Sequence, residues 1–232
     1  KILKNNYKFI TVMRGGCLIF PGFDRFDISS NLMSSGCNSE YFEKVINFLN
    51  SQSNSIIIIV GRYPLYFNGK NFDNNEGGAE PGGGEYRFYK DGNFNSIQES
   101  FKKTILELSN KNKIILVYPV PEVGWHVPRK LNSVLLFKSQ EEIDTYLIEK
   151  NYLTTSYEVF KTRNNLSFKV LDSIKNKNIH RVYPHKIFCN SKIKNRCITH
   201  DSQNIFYYDY IHLLGKGSTS LVNLIINKLK SL

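Results

Sequence analysis

Apolar residues recur along the chain in two patterns, which together predict an alternation of strands and helices. Short, nearly continuous apolar runs indicate strands at Tyr7–Met13, Ile56–Val60, Lys113–Tyr118 and His180–Tyr183. Ile56–Val60 consists entirely of β-branched residues, which is typical of a strand buried in a parallel sheet. Apolar residues three and four positions apart predict helices in the other segments, at Ser39–Leu49, Ser96–Leu108, Gln140–Lys150, about Ser156–Lys175 and about Gly217–Lys230.

This alternation indicates the fold class. Strands separated by helices are typical of a doubly wound parallel sheet with helices on both faces. We therefore expect a single α/β domain over residues 1–232, a three-layer α/β/α sandwich with a flavodoxin-like sheet. Hydrophobic residues make up 41% of the chain, which is enough for one sizeable core.

No apolar run approaches the roughly eighteen residues that cross a bilayer, and no signal peptide is visible. Because the sequence begins with Lys1 rather than Met, we expect it to be a piece of a longer chain.

One segment interrupts the alternation. Asn68–Tyr86 is rich in Gly and Asn and poor in apolar residues, so we expect a loop. Loops at the carboxyl ends of strands border the ligand crevice of an open α/β sheet, so this segment is either a flexible lid or a surface insertion. Its glycines match neither of the common phosphate-binding motifs.

The chain carries a net charge of +11, and the excess is uneven. Between Lys161 and Arg196 there are ten Lys or Arg residues and one acid, Asp172. Such a stretch either faces an anionic polymer, phospholipid head groups or nucleic acid, or is an ordinary solvated surface. No aromatic-interleaved RNA motif or recognition helix accompanies it, so we favour the solvated surface and expect no nucleic-acid partner.

The four cysteines form two local sets, Cys17 with Cys37 and Cys189 with Cys197. Neither spacing matches a zinc site, and no CxxC motif occurs. We therefore expect two local disulfides and an oxidising compartment. The alternative is four reduced, buried thiols in a cytosolic protein.

The most informative residues are Asp209 and His212, three positions apart in YYDYIHL, just before the last predicted helix. A carboxylate beside an imidazole fixes its tautomer and leaves the second ring nitrogen available as a general base. The Asp-x-x-His pattern alone is common, and its position before a terminal helix is what makes it informative. The two residues are our candidate catalytic pair.

The segment around this pair resembles the last signature block of the SGNH/GDSL hydrolases, in which such an Asp and His complete a triad with serine. Other segments resemble the SGNH domains that are fused to membrane-embedded acyltransferase-3 proteins. These segments occur in the same order as in that family. They are GGCLIFPG with the later Cys37, IIIIVGRYPLY, LVYPVPEVGWHVP and FCNSKIKNRCI. The resemblance extends from about Tyr7 to the C-terminus.

The nucleophile is the first departure from the family pattern. In the family it lies in a Gly-Asp-Ser block on the first strand, and this tripeptide is absent from the chain. We expect the first strand and this block to lie upstream of Lys1, because without that strand the centre of the sheet would have unpaired backbone groups. Ser35 and Ser218 are weaker candidates for the nucleophile.

The oxyanion site is the second departure. Gly61, Arg62 and Tyr63 stand where typical members have Gly-x-Asn-Asp, so backbone N–H groups or Arg62 would have to bind the oxyanion. Arg62 directly follows a buried strand, where a charge must find a partner. His126, beside Trp125, either contacts substrate or is structural, and we favour the structural role.

The resemblance implies serine-dependent transfer of an acyl group, most simply acetyl, to a hydroxyl of a cell-surface glycan. An acyltransferase-3 domain in the same polypeptide would supply the acyl donor, and the domain would lie on the outer or periplasmic face of a bacterial membrane. No metal or cofactor is needed. The alternatives are a carbohydrate esterase that hydrolyses acetyl esters and a glycan-binding remnant of the fold without catalysis.

Overall fold

The computed structural model describes residues 8–82, 85–148 and 153–232. In this part of the chain the strands are β1 (Phe23–Asp27), β2 (Leu32–Met33), β3 (Ile56–Ile59), β4 (Tyr86–Lys90), β5 (Lys113–Val117), β6 (Thr154–Ser156), β7 (Ile179–Val182) and β8 (Arg196–Ile198). The helices are α1 (Ser39–Asn50), α2 (Tyr63–Asn68), α3 (Ile97–Ser109), α4 (Val127–Leu135), α5 (Gln140–Ile148), α6 (Tyr157–Ser173), α7 (His185–Phe188) and α8 (Lys216–Lys230). Among these described helices, none is long and apolar enough to cross a membrane.

A parallel sheet in the order β3-β5-β7 forms the middle layer. Side chains alternate across a strand, so β5 contributes to both faces. Ile114 and Leu116 pack with residues of α1, α3 and α6 on one face, whereas Ile115 and Val117 pack with α8 on the other. The predicted α/β/α sandwich with a parallel sheet is therefore confirmed.

The pattern of apolar residues predicted most of the expected helices and strands at nearly their observed positions. All five predicted helices are present, as α1, α3, α5, α6 and α8, and the predicted end of α5 at Lys150 lies outside the described residues. Ser96 and Ser156 precede their helices as N-caps, because their hydroxyl oxygens accept the backbone N–H of Glu99 and Val159. Three of the four predicted strands are present as β3, β5 and β7.

The prediction of a strand at Tyr7–Met13 was wrong for the described residues 8–13, which form no strand. A strand needs a hydrogen-bonded neighbour, and a cavity of about 260 Å³ separates this segment from β3. Because the cavity leaves β3 without a neighbouring strand on this side, Ile56–Val60 is also less buried than predicted. In the described structure β3 is an edge of its sheet, and Ile58 and Val60 are 38% and 53% exposed.

An antiparallel sheet in the order β2-β1-β4 was not predicted. Its main ladder pairs residues far apart in sequence, from Phe23 with Lys90 to Asp27 with Tyr86. Gly22 precedes β1 and Gly92 follows β4, and their backbones pack directly against each other. Only glycine fits here, since a Cβ on Gly92 would lie 2.8 Å from the Cα of Gly22. Beyond the central sheet, β6 and β8 form a further antiparallel pair with its own small core.

We predict that Phe101→Ala lowers the free energy of unfolding by about 3–5 kcal/mol, because the ring is fully buried and leaves a cavity. The ring lies edge-on to Phe20 and Tyr63, with centroids 6.2 and 5.7 Å away. Phe137→Ala is the matched control: its side chain is 93% exposed, so a change of less than about 0.5 kcal/mol is expected. Equilibrium urea unfolding measures both, and equal effects would contradict the core described above.

Candidate active site

The candidate catalytic pair lies on a tight loop before α8. Tyr207 and Leu213 pair across its base, and the N–H of Tyr208 donates to the carbonyl of His212 at 2.8 Å. Tyr207 is fully buried and its hydroxyl donates to the carbonyl of Pro121 at 2.9 Å. This bond fixes the loop to the segment that follows β5.

Asp209 and His212 are in direct contact. His212 Nδ1 lies 2.7 Å from Asp209 Oδ2, while Asp209 Oδ1 accepts the backbone N–H groups of Ile211 and His212 at 2.9 and 2.8 Å. A carboxylate only accepts hydrogen bonds, so the neutral ring carries its proton on Nδ1 and has its lone pair on Nε2. The His212 side chain is 70% exposed, and its Nε2 makes no hydrogen bond to the described residues. The geometry suits a general base that is oriented by Asp209.

The surroundings of Asp209 keep it ionised. Burial alone would raise the pKa of its carboxyl, but hydrogen bonds from the His212 backbone N–H, the His212 ring and the Ile211 N–H outweigh it and hold the pKa below its usual value. The carboxylate is therefore charged at neutral pH and can stabilise a protonated His212.

A buried ion-pair cluster lies at the carboxyl ends of β3 and β5. Glu122 is at its centre, with a side chain only 4% exposed. Its two oxygens accept Arg62 Nε at 2.6 Å and Arg163 Nε at 2.7 Å. Arg62 also forms a two-point contact with Glu80, including Nη1 to Oε1 at 2.9 Å. The expectation that Arg62 must find a partner is confirmed.

This arrangement directs the guanidinium of Arg62 toward two carboxylates. Burial tends to lower its pKa, but the hydrogen bonds and charges of Glu80 and Glu122 raise that pKa above its usual value. Tyr63, the next residue, is fully buried and donates to the carbonyl of Ile59 at 3.4 Å, so its side chain is part of the core. Gly61 packs so closely that a Cβ would lie 2.7 Å from Leu18.

The Gly-rich segment, Asn68–Tyr86, is held in place by hydrogen bonds in its middle part. Asn74 is fully buried, donates to the carbonyl of Val123 at 3.0 Å and accepts the N–H groups of Glu76 and Gly78 at 2.9 Å each. Glu76 also pairs with Arg196. These contacts hold the segment against the residues that follow β5, beside the Asp209 loop.

His126 lies close to the same loop. It precedes α4, and its ring meets that of Tyr210 edge-on at 5.4 Å between centroids. The structure therefore brings His126, Asp209 and His212 into one region, because Tyr210 directly follows Asp209.

Sequence reasoning missed Glu122 and Arg163, which complete the ion-pair cluster. Glu122 follows strand β5 in the segment YPVPEVG, as Arg62 follows β3. Two opposite charges just beyond adjacent parallel strands are a signal that they meet, since the carboxyl ends of such strands lie at one edge. Arg163 gives no comparable signal, because it lies within α6 between the cations Lys161 and Lys169, and only the structure shows that its side chain is buried while they are exposed.

Both disulfides form as predicted, between Cys17 and Cys37 and between Cys189 and Cys197. The second pair ties residues near α7 to β8 within the smaller core. In the described part of the chain, no group of three or more His, Cys, Asp or Glu side chains is arranged to hold a metal ion.

The parallel sheet with helices on both faces is the α/β/α architecture of the SGNH fold, and the SGNH domain belongs to a superfamily of acyl-ester hydrolases and transferases. A family model described as the SGNH domain fused to AT3 (acyltransferase-3) domains matches residues 1–227, and the chain belongs to this family. No curated protein and no solved structure matches the chain at a significant level.

We predict that Glu122→Gln destabilises the fold by about 3 kcal/mol, because it leaves two largely buried arginines facing a neutral amide. Equilibrium urea unfolding measures the loss. Glu40→Gln is the matched control: Glu40 pairs with Lys44 on an exposed helix face, and no measurable change is expected. If the two variants unfolded alike, the cluster would not hold the site together.

A second prediction concerns the titration of Asp209. Its folded pKa is lowered, so the ionised carboxylate stabilises the fold above the unfolded value of about 3.9. This stabilisation is lost as the pH falls through the lowered folded pKa. Carbon-13 NMR of the Asp209 carboxyl should give a midpoint below that of an unperturbed Asp.

His212→Ala removes the ring but keeps the backbone N–H, so the Asp209 midpoint should rise without reaching that of a free carboxyl. An unchanged midpoint in this variant would show that the two side chains do not interact in solution.

Proposed function

We propose that this domain transfers an acyl group, most simply acetyl, through a serine ester to a hydroxyl of a cell-surface glycan. The observation that carries the proposal is the 2.7 Å contact between Asp209 and an exposed His212. Membership of the SGNH family supports acyl-ester chemistry at this pair.

His212 accepts the proton of the serine hydroxyl on Nε2 as the serine oxygen attacks the acyl carbonyl. The proton passes to the leaving group as it departs, and an acyl-serine remains. A sugar hydroxyl then attacks this ester and gives its proton to His212, which returns it to the serine oxygen. Asp209 stabilises the protonated ring in both steps. Water in place of the sugar would give the esterase reaction.

The serine belongs, in this proposal, to a strand of the same polypeptide outside residues 1–232, next to β3. The open edge of β3 supports this position. The cavity beside it is lined on the far side by every second residue from Lys8 to Arg14, which is the period of a strand. A strand placed between would pair with both and would end near Gly61, whose backbone N–H is available as an oxyanion donor.

The donor side of the reaction is the acyltransferase-3 domain to which members of the family are fused. An acyl group delivered by a membrane domain, together with two disulfides, supports a location on the extracytoplasmic side of the membrane. Gly61 and His126 remain candidates for contact with oxyanion or substrate. The Arg62 guanidinium is bound to Glu80 and Glu122, and the Tyr63 side chain is part of the core, so in this proposal these two residues position the edge of the sheet instead.

We predict that His212→Ala lowers hydrolysis of p-nitrophenyl acetate by about 10²–10⁴-fold, the usual contribution of a general base. The polypeptide assayed should include the segment before Lys1. His180→Ala is the matched control, because His180 lies on β7 away from the pair and should retain activity. If the unsubstituted protein is inactive, or the two variants behave alike, the catalytic proposal is wrong and a glycan-binding remnant is favoured.

A further inference from the structure

A groove of about 360 Å³ opens beside the catalytic loop. The loop and the groove are joined through Tyr210, whose carbonyl accepts the N–H groups of Val123 and Gly124 at 3.0 and 3.2 Å. The side chains that line the groove are those of Trp125, His126, Arg129, Lys130, Ser133 and Tyr210. A ligand in this groove would lie beside Tyr210, the residue that follows Asp209.

Glycines give the groove its shape. Gly124 has a φ of +70°, and a Cβ there would lie 2.5 Å from the carbonyl of Gly78. A Cβ on Gly78 would come within 2.7 Å of the Trp125 ring. The indole N–H donates to the carbonyl of Thr154 at 3.2 Å, which also holds the ring in place. The groove is therefore built from fixed parts.

The charges of the groove differ from those of the neighbouring cluster. Arg62 and Arg163 are satisfied by buried carboxylates, whereas Arg129 and Lys130 are exposed and pair with no carboxylate among the described residues. Lys130 instead lies over the Trp125 ring, with Nζ 5.1 Å from its centroid.

His126 contributes a ring to the wall of the groove. This ring meets that of Tyr210 edge-on at 5.4 Å between centroids. Its Nδ1 is buried, so a ligand in the groove would contact the ring and not this nitrogen.

We infer that this groove binds an acidic sugar residue, so that the acyl acceptor is a glycan that carries carboxylates. Arg129 and Lys130 bind the carboxylate, and the rings of His126 and Tyr210 contact the sugar. Nucleic acid fits less well, because Lys130 covers the indole and the groove lacks a row of open aromatic faces for successive bases. The assignment as an acyl acceptor rests on the proposed function, whereas the binding itself does not.

Trp125 is the single tryptophan of the chain, so its fluorescence reports on the groove directly. The experiment titrates the same polypeptide as the ester assay with tetragalacturonate and with neutral maltotetraose at about 0.15 M salt. A Trp125→Phe variant gives the part of the fluorescence that does not come from the groove. We expect saturable quenching by the acidic sugar and an affinity at least about tenfold higher than for the neutral one, since charge-assisted hydrogen bonds are the stronger kind.

The double variant Arg129→Ser, Lys130→Ser should weaken binding of the acidic sugar by about tenfold or more. The matched control, Lys175→Ser with Lys177→Ser, removes two exposed charges from the basic stretch and should change the affinity little. Thermal unfolding checks that both double variants remain folded.

Equal loss in both double variants, equal affinity for the two sugars, or no change in fluorescence would overturn the inference. Tighter binding of an oligothymidylate than of the acidic sugar would overturn it in favour of nucleic acid. The titration needs no turnover, so it can fail while ester hydrolysis succeeds, or succeed while hydrolysis fails, and the two proposals are tested separately.

Discussion

The site depends on one buried carboxylate. Glu122 lies almost out of contact with solvent and binds two arginines that come from different parts of the fold, one after β3 and one from α6. Burying these charges costs free energy, and the cost is offset only if the partners are held in good geometry. The packing of β3, β5 and α6 provides that geometry. Because Arg62 also binds Glu80, the cluster connects the sheet to the Gly-rich segment.

The backbone around Glu122 has an equally central role. The carbonyl of Pro121 accepts the Tyr207 hydroxyl, and the N–H of Val123 donates to the carbonyl of Tyr210, so the loop that carries Asp209 and His212 is fixed to this segment at two points. The carbonyl of Val123 accepts Asn74, which brings in the Gly-rich segment. A single stretch after β5 thus positions the Asp209–His212 pair, the ion-pair cluster and the groove. The position of this stretch is set by the strand before it, whose residues Ile114–Val117 are fully buried, so the core of the domain determines the geometry of the site.

The central sheet and its helices could be predicted because their signals are local. Branched runs such as Ile56–Ile59 and the helical spacing of apolar residues follow from the side chains themselves. The antiparallel sheet was missed because it exists only through pairing of β1 with β4, more than fifty residues apart. The segment Lys8–Met13 shows the opposite case: it has the composition of a strand, but the described chain places a cavity where its partner would lie.

The same distinction applies to the site. The sequence alone predicted the contact between Asp209 and His212, because the two residues are three positions apart just before the last helix, in a segment that resembles the last SGNH signature block. It also determined that Arg62 needs a partner, because a charge after a buried strand cannot stay isolated. Only the tertiary structure decided which partners these are: Glu122 lies 60 residues away, and Trp125, His126 and Tyr210 form a groove from separate segments. Contacts of this kind depend on how the chain packs in three dimensions, and no local pattern of residues encodes them.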